Sequence, residues 1–338
     1  EIKWANNELT GTIPRSLTKL VNLEELDLSG NMLTGNIPSA LLSSQMTNLE
    51  ELDLSNNMID GAVPGLQNGA APELEYLDLS NNKLSGGIPF RLIGAFPKLE
   101  ELDLSNNNLS GGIGARALQE MAELERMDLS SNALEGNIPE EFFTDMPELK
   151  ILDLSNNKFS GRMAYDLRNI RDTELDELYL SNNMLSGDFP VALLSKLDEL
   201  EVLKLNGNQF SGPLPTTLDA DEALEVRELD VSDNKLTGPL PFGLLEAMPE
   251  LEKLNLARNQ LVDEVDMRFW STVKDLKELD MAGNKLRGVL PEKFDADFDL
   301  DLEALDLSSN AFSGELTESF LKAMDDLQRL DLSGNEIT

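Results

Sequence analysis

Cysteine and histidine are absent from all 338 residues. No disulfide, thiolate nucleophile, zinc finger or imidazole-bound metal can form within the chain. A Ser-His-Asp triad is excluded outright. Aromatic residues make up only 5% against 41% hydrophobic residues overall, so the core is built mainly from Leu, Ile, Val and Met. Bases are scarce as well: 27 Lys plus Arg face 63 acids, for a net charge of −36. Such a chain repels phosphates, which excludes nucleic acid and anionic membrane surfaces as partners. No run of about 18 apolar residues is present, so no segment inserts in a membrane as a helix. The chain opens on Glu1 with no signal-like stretch, and it reads as part of a longer precursor.

What the chain has in abundance is repetition. The phrase "LEELDLSNN" stands at 49–57 and again at 99–107, with "LEELDLSGN" at 23–31. Aligned phrases put one Asn in register at Asn7, Asn31, Asn57, Asn82, Asn107, Asn132, Asn157, Asn183, Asn208, Asn234, Asn259, Asn284, Asn310 and Asn335. Steps of 24 to 26 residues separate these fourteen positions, and no linker interrupts them. Residues 1–338 therefore read as a single solenoid rather than as several globular domains.

Each unit alternates in period two through "ELDLS", as a short strand does. That places Leu52 and Leu54 inward and Glu51, Asp53 and Ser55 outward. The Asn just beyond the strand is expected to be buried, its amide bonding backbone groups of neighbouring coils as a ladder. Gly follows four residues later in every complete unit except one, where Asp263 stands, and Pro closes the phrase at nine positions such as Pro14 and Pro38. The remaining stretches, such as "SALLSSQM" and "EEFFTDM", are short enough for one helical or 3₁₀ turn on the outer side.

With "LTGTIP" at 9–14, "LTGNIP" at 33–38 and "LSGGIP" at 84–89, the whole chain resembles a plant-type leucine-rich repeat protein. The resemblance implies an α/β solenoid: a right-handed coil with a continuous parallel β-sheet of about 14 strands on its concave face and short 3₁₀ or helical turns on its convex face. It also implies a second, short sheet at the "LxGxIP" phrase. Members include receptor ectodomains and inhibitors of pectin-degrading enzymes, so the implied role is extracellular or cell-surface recognition of a protein or polysaccharide, without catalysis and without a cofactor. The family usually brackets its repeats with cysteine-paired caps, which this chain lacks. Both ends are uncapped, which reads as a segment of a longer chain, with self-association through the open ends as the sharper alternative.

Parallel strands lie about 4.8 Å apart, so equivalent outward residues form columns. The column at the Asp of "LDLS" runs Asp27, Asp53, Asp78, Asp103, Asp128 and Asp153 without a break. Adjacent like charges at this spacing repel by roughly 1 kcal/mol in water. Two accounts fit such a column. The first is local hydrogen bonding by a consensus Asp; the second is an acidic strip for a divalent cation, a basic partner or a repetitive polymer. The column is interrupted around Ile151, Tyr179, Val202, Lys204 and Asn206, and this less charged, partly aromatic patch is the expected partner contact. The carboxylate spacing is forced by the repeat and distinguishes no pair, which argues against glycosidase chemistry. Asn108-Leu109-Ser110 is a glycosylation sequon.

Asp295, Asp297 and Asp299 carry the first three spacings of a calcium loop, although Leu300 stands where such a loop requires Gly. A structural role, as a calcium-associated repeat segment of a matrix, wall or filament, is therefore the alternative to recognition. Calcium association has a direct check: millimolar calcium raises the melting temperature and EDTA reverses the rise, whereas no shift and no calorimetric heat exclude the ion.

Overall fold

Three residues of each "ELDLS" phrase form a strand, because the buried leucine at its centre is flanked by polar residues on the opposite face. The computed structural model describes residues 1–338 except 66–69, 90–91, 93–94, 115–122, 164–172, 217–222 and 293–297. It divides into two compact units, one of Glu1–Gly161 with Tyr165–Asn183 and one of Arg162–Ala164 with Met184–Thr338. In the first unit this strand series comprises Ile2–Lys3, Glu25–Asp27, Glu51–Asp53, Tyr76–Asp78, Glu101–Asp103, Arg126–Asp128, Ile151–Asp153 and Glu177–Tyr179. In the second it comprises Val202–Lys204, Glu228–Asp230, Lys253–Asn255, Glu278–Asp280, Ala304–Asp306 and Arg329–Asp331. These fourteen strands match the number of repeats. Within each unit they pair in parallel with residue-for-residue register, as in Glu51↔Tyr76 and Asp53↔Asp78.

A second parallel series forms at the "LxGxIP" phrase, running from Thr10–Thr12 to Lys158–Arg162 in the first unit. Its glycines occupy the left-handed region. At Gly61 (φ 82°) an added Cβ would also collide with the Asn36 side chain of the preceding coil. In the second unit this series pairs from Met184–Gly187 to Gln260–Leu261 and then stops. It resumes as a separate three-stranded sheet at Arg287–Val289, Ala311–Gly314 and Glu336–Ile337. The interruption falls at Asp263, the unit without the turn glycine. Its carboxylate accepts from the Leu240 amide at 2.9 Å and the Glu264 amide at 2.8 Å, replacing strand pairing by side-chain bonds. A single bridge between Glu264 and Arg287 spans the gap.

The outer stretches hold short helices, 3₁₀ at Arg15–Lys19 and Ser39–Leu42, and α at Glu141–Thr144, Val191–Leu194, Phe242–Glu246, Met267–Thr272 and Glu318–Lys322. Of these, the last two carry a side-chain N-cap, from Asp266 and Thr317. Leu52, Leu54, Leu77 and Leu79 are fully buried, as the alternation requires. Each such leucine contributes about 2 kcal/mol by its burial. In the second unit a run of edge-to-face rings, Phe242, Phe269, Trp270 and Phe320, fills the space beneath the helices with centroids 5.7–6.3 Å apart.

The asparagine ladder is present and its chemistry is regular. Asn107 Nδ2 donates to the Leu79 carbonyl of the preceding coil at 3.0 Å, and to its own coil at Leu104 (3.2 Å) and Ser105 (3.0 Å). Its Oδ1 accepts from the Leu84 amide at 2.9 Å, again on the preceding coil. Every residue just before a ladder Asn sits in the left-handed region, from Asn6 (φ 54°) to Gly334 (φ 68°). No buried side-chain polar atom lacks a partner among the described residues. Replacing Asn107 by Ala leaves the Leu84 amide unsatisfied, at about 1–3 kcal/mol, whereas the Leu79 carbonyl still accepts from Asn82 Nδ2 at 3.2 Å. We expect Asn107→Ala to lose about 2 kcal/mol in calorimetric unfolding and the Leu84 amide to lose protection in hydrogen exchange. A loss below about 1 kcal/mol would show the ladder to be dispensable.

Candidate functional site

The open face of the main sheet carries three columns of side chains. In the first unit the outermost column, just ahead of each strand, holds Glu24, Glu50, Glu75, Glu100, Glu125 and Lys150, and its five glutamates are exposed. The next holds Glu25, Glu51, Tyr76, Glu101, Arg126 and Ile151, all half-buried. The third is the aspartate strip, Asp27, Asp53, Asp78, Asp103, Asp128 and Asp153, also half-buried. Their shared register puts all six aspartates on consecutive strands. The outermost column escapes a reading based on strand period, because it lies one residue before the strand begins. Its signal is the residue directly after the first leucine of each unit.

Each aspartate of the strip is tied to the backbone. Asp53 Oδ1 accepts from the Ser55 amide at 2.8 Å, and Asp27, Asp78, Asp103, Asp128 and Asp153 repeat the bond two residues on at 2.7–2.9 Å. Asn255 makes the same bond to the Ala257 amide at 3.0 Å without a charge. The local hydrogen-bonding account of the consensus Asp is therefore present at every member of the strip. The serine column departs from expectation: Ser55, Ser80, Ser105, Ser130 and Ser155 are buried rather than outward. The chain turns a corner immediately after them, and corner residues such as Asn56 lay their amide on the serine hydroxyl, here at 3.1 Å.

Burial makes three carboxyls of the strip harder to ionise. It raises the pKa of Asp53 and Asp153, with the bonds from Ser55 and Ser155 opposing and the neighbouring aspartates adding to the rise. Asp103 is pushed up to about 6 by burial first, with Asp128 and Asp78 adding. Glu51 is likewise raised by burial and then by the charge of Glu25. Tyr76, among Asp78, Asp53, Glu101 and Asp103, has its hydroxyl pushed well above the usual tyrosine range by burial and by their charge.

Counter-charge is distributed unevenly. In the first unit the open face holds salt bridges from Lys3 to Glu25 (2.8 Å), Arg126 to Glu101 (3.3 Å) and Lys150 to Glu125 (3.1 Å). Most of its carboxylates, including Asp53, Asp78, Asp103, Glu50, Glu51, Glu75 and Glu100, make no salt bridge among the described residues. In the second unit bases and acids alternate from coil to coil. Arg227 meets Glu201 (3.6 Å), Lys204 meets Glu228 (2.9 Å), and Lys253 meets Glu278 (3.1 Å). Lys277 meets Glu252 (2.9 Å) and Arg329 meets Asp306 (3.5 Å). That face is partly neutralised by its own bases.

The expected partner patch is divided between the units. Ile151 and Tyr179 lie on adjacent strands of the first, where the Tyr179 hydroxyl donates to Glu177 Oε2 at 2.7 Å. Val202, Lys204 and Asn206 lie in the second unit, half-buried, with Lys204 bonded to Glu228. Asn108 is exposed and opens the second-series strand Asn108–Gly111. Of the calcium-loop residues, Asp295 and Asp297 lie outside the described residues. Asp299 is exposed and accepts from the Leu300 amide at 3.1 Å. Among the described residues no three acidic side chains converge to hold a metal ion.

The raised Asp103 pKa has a defined pH consequence. Folded Asp103 keeps its proton up to about pH 6, whereas an unfolded Asp releases it near pH 4. Its ionisation therefore penalises folding fully above pH 6, and the penalty fades as pH falls from about 6 to about 4. Asp103→Asn removes the charge and, by the precedent of Asn255, keeps the bond to the residue 105 amide. We expect this variant to melt several degrees above the parent at about pH 7.5 and level with it at about pH 4. An equal difference at both pH values would exclude ionisation as the cause.

Family profiles described as "Leucine Rich repeats (2 copies)" match residues 21–68 and 72–115. Those described as "Leucine Rich Repeat" match 123–144, 148–170, 174–195, 199–220, 225–246, 275–296 and 301–323. Receptor-like protein 35 of Arabidopsis thaliana is 35% identical over 166 residues, which cover 48% of this chain and 16% of the relative. The plant peptide hormone receptor RGFR1, solved in complex with RGF2, superposes over 100% of this chain and 55% of its own, with TM-score 0.82 and 32% identity. A TDR receptor superposes over 99% of this chain and 55% of its own, with TM-score 0.83 and 28% identity. The chain thus spans about a sixth of that curated relative and about half of these solved receptors. Among the described residues no helix is long and apolar enough to cross a membrane. With profile matches over most of its length and plant-type phrases recurring along it, the chain belongs to the leucine-rich repeat family, in its plant-type subclass.

Proposed function

We propose that this chain is an extracellular, non-catalytic recognition module that binds a protein or peptide bearing a cationic segment, on the open main-sheet face of its first unit. The observation that carries the reading is the uneven distribution of counter-charge. A face with carboxylates in all three columns and few bases is complementary to a cationic partner, and such complementarity speeds encounter and excludes acidic competitors. The second unit's alternating bases already pair with five of its acids. Similarity to receptors that include a plant peptide hormone receptor supports a peptide or protein as the partner. Ile151, on the strand of Asp153, and Tyr179, on the next strand, are half-buried and supply an apolar contact at one end of the strip. Anionic polysaccharides are disfavoured by the same charge.

The test is a calorimetric titration with hexa-arginine, hexa-glutamate and an acidic oligosaccharide at about 50 and about 300 mM NaCl. Hexa-arginine binds, weakening at least tenfold at the higher salt because exposed charges are screened beyond about 10 Å at 0.1 M. The triple variant Asp53→Asn, Asp78→Asn, Asp103→Asn loses most of that affinity. Binding of the oligosaccharide or hexa-glutamate instead, or unchanged affinity in the triple variant, would overturn the reading.

A further inference from the structure

Within the acidic face of the first unit one position differs in kind. Tyr76 is the aromatic member of the middle column, with Glu51 as its direct neighbour on one strand and Glu101 on the other. Two residues along, Asp53, Asp78 and Asp103 form the adjoining column, and the Tyr76 hydroxyl reaches Asp78 Oδ2 at 3.5 Å. The ring is half-buried, so its position is held while part of it stays accessible. A shallow cavity of about 380 Å³ opens beside it, lined by Glu75, Tyr76, Glu100, Glu101, Arg126 and Ile151 among others.

We propose that Tyr76, with Glu51 and Glu101 on either side, seats one arginine side chain of the partner. The inference rests on the open face of the first unit being the recognition surface. It goes further by naming the residue that anchors the partner and the chemistry that selects it. A guanidinium is planar, stacks on an aromatic ring and forks its donors to carboxylates, whereas an ammonium is a compact point charge that does not stack. The chain shows both halves of this recognition in its own side chains. Arg126, in the same column two coils on from Tyr76, directs Nε to Glu101 Oε1 at 3.3 Å on the neighbouring coil, with Nη2 3.8 Å from Asp128 on its own. In the second unit the Arg268 guanidinium lies 4.2 Å from the centre of the Phe242 ring. At Tyr76 the ring and the flanking carboxylates occur together, and Glu51 makes no salt bridge among the described residues.

The experiment compares hexa-arginine with hexa-lysine, equal in charge, on the folded chain and three variants. Tyr76→Ile removes the ring, and Ile151 shows that the position accepts this residue. Glu51→Gln removes a charge at the seat, and Asp27→Asn removes one away from it. Hexa-arginine should bind the parent at least fivefold more tightly than hexa-lysine. Tyr76→Ile should abolish that preference while retaining residual affinity for both peptides, and Glu51→Gln should weaken hexa-arginine more than Asp27→Asn does. A 3-fluorotyrosine label should show the Tyr76 resonance shifting with hexa-arginine and not with hexa-lysine, with a circular dichroism spectrum unchanged in every variant. Equal binding of the two peptides, or an arginine preference that survives Tyr76→Ile, overturns the arginine seat but leaves the acidic recognition face standing. Failure of both peptides to bind the parent overturns the two together.

Discussion

The bond on which everything else depends is the one each ladder asparagine makes to the coil before it. A solenoid of short strands must bury backbone at every corner, where neither helix nor sheet satisfies it. Asn57, Asn82 and Asn107 meet that requirement with one side chain each, donating to carbonyls and accepting an amide across 23 to 29 residues of sequence. The strand register follows from this, since consecutive coils tied at the same corner bring Leu52, Leu77 and Leu102 to the same depth. So does the columnar arrangement of the open face. The aspartates stand in line because the asparagines do.

Much of this is legible in the sequence, because period-two alternation and a fixed Asn leave one consistent arrangement. Leu52 and Leu54 point inward and Gly61 takes a conformation other residues resist, while the second series at "LxGxIP" is what the family resemblance implies. What is not legible depends on contacts between coils or on the local turn. Ser55 occupies an outward position by alternation, yet the left-handed corner at Asn56 covers it. The left-handed residue before each ladder Asn is signalled by Asn, Asp or Gly at most corners, but Ser131, Arg258 and Ser309 give no such signal. Asp263 is visible as a departure from the glycine pattern, but only the folded chain shows that its carboxylate caps two amides where the second series divides.

For the candidate site, the aspartate column can be counted directly from the repeats, whereas its energetic state cannot. Whether Asp103 ionises readily depends on how deeply its strand neighbours bury it, and burial is a three-dimensional quantity. The contrast between the units is hidden for a similar reason. Lys204, Lys253 and Lys277 look like scattered bases along the chain, and only the coil-to-coil register shows each meeting a glutamate. A face whose charges cancel internally has less to offer a charged partner than one whose charges remain open, even when the acidic residues are equally numerous.

The ladder also has a direction. Each asparagine after Asn7 reaches back to the coil that precedes it, and the amides left waiting on the newest coil are taken by the next one, as those of Leu79, Asn81 and Leu84 are taken by Asp103, Ser105 and Asn107. A chain leaving the ribosome is made in that same order. Every coil therefore emerges facing a template that is already complete, and growth is vectorial: synthesis and folding can advance together, one coil at a time, without a distant segment having to return.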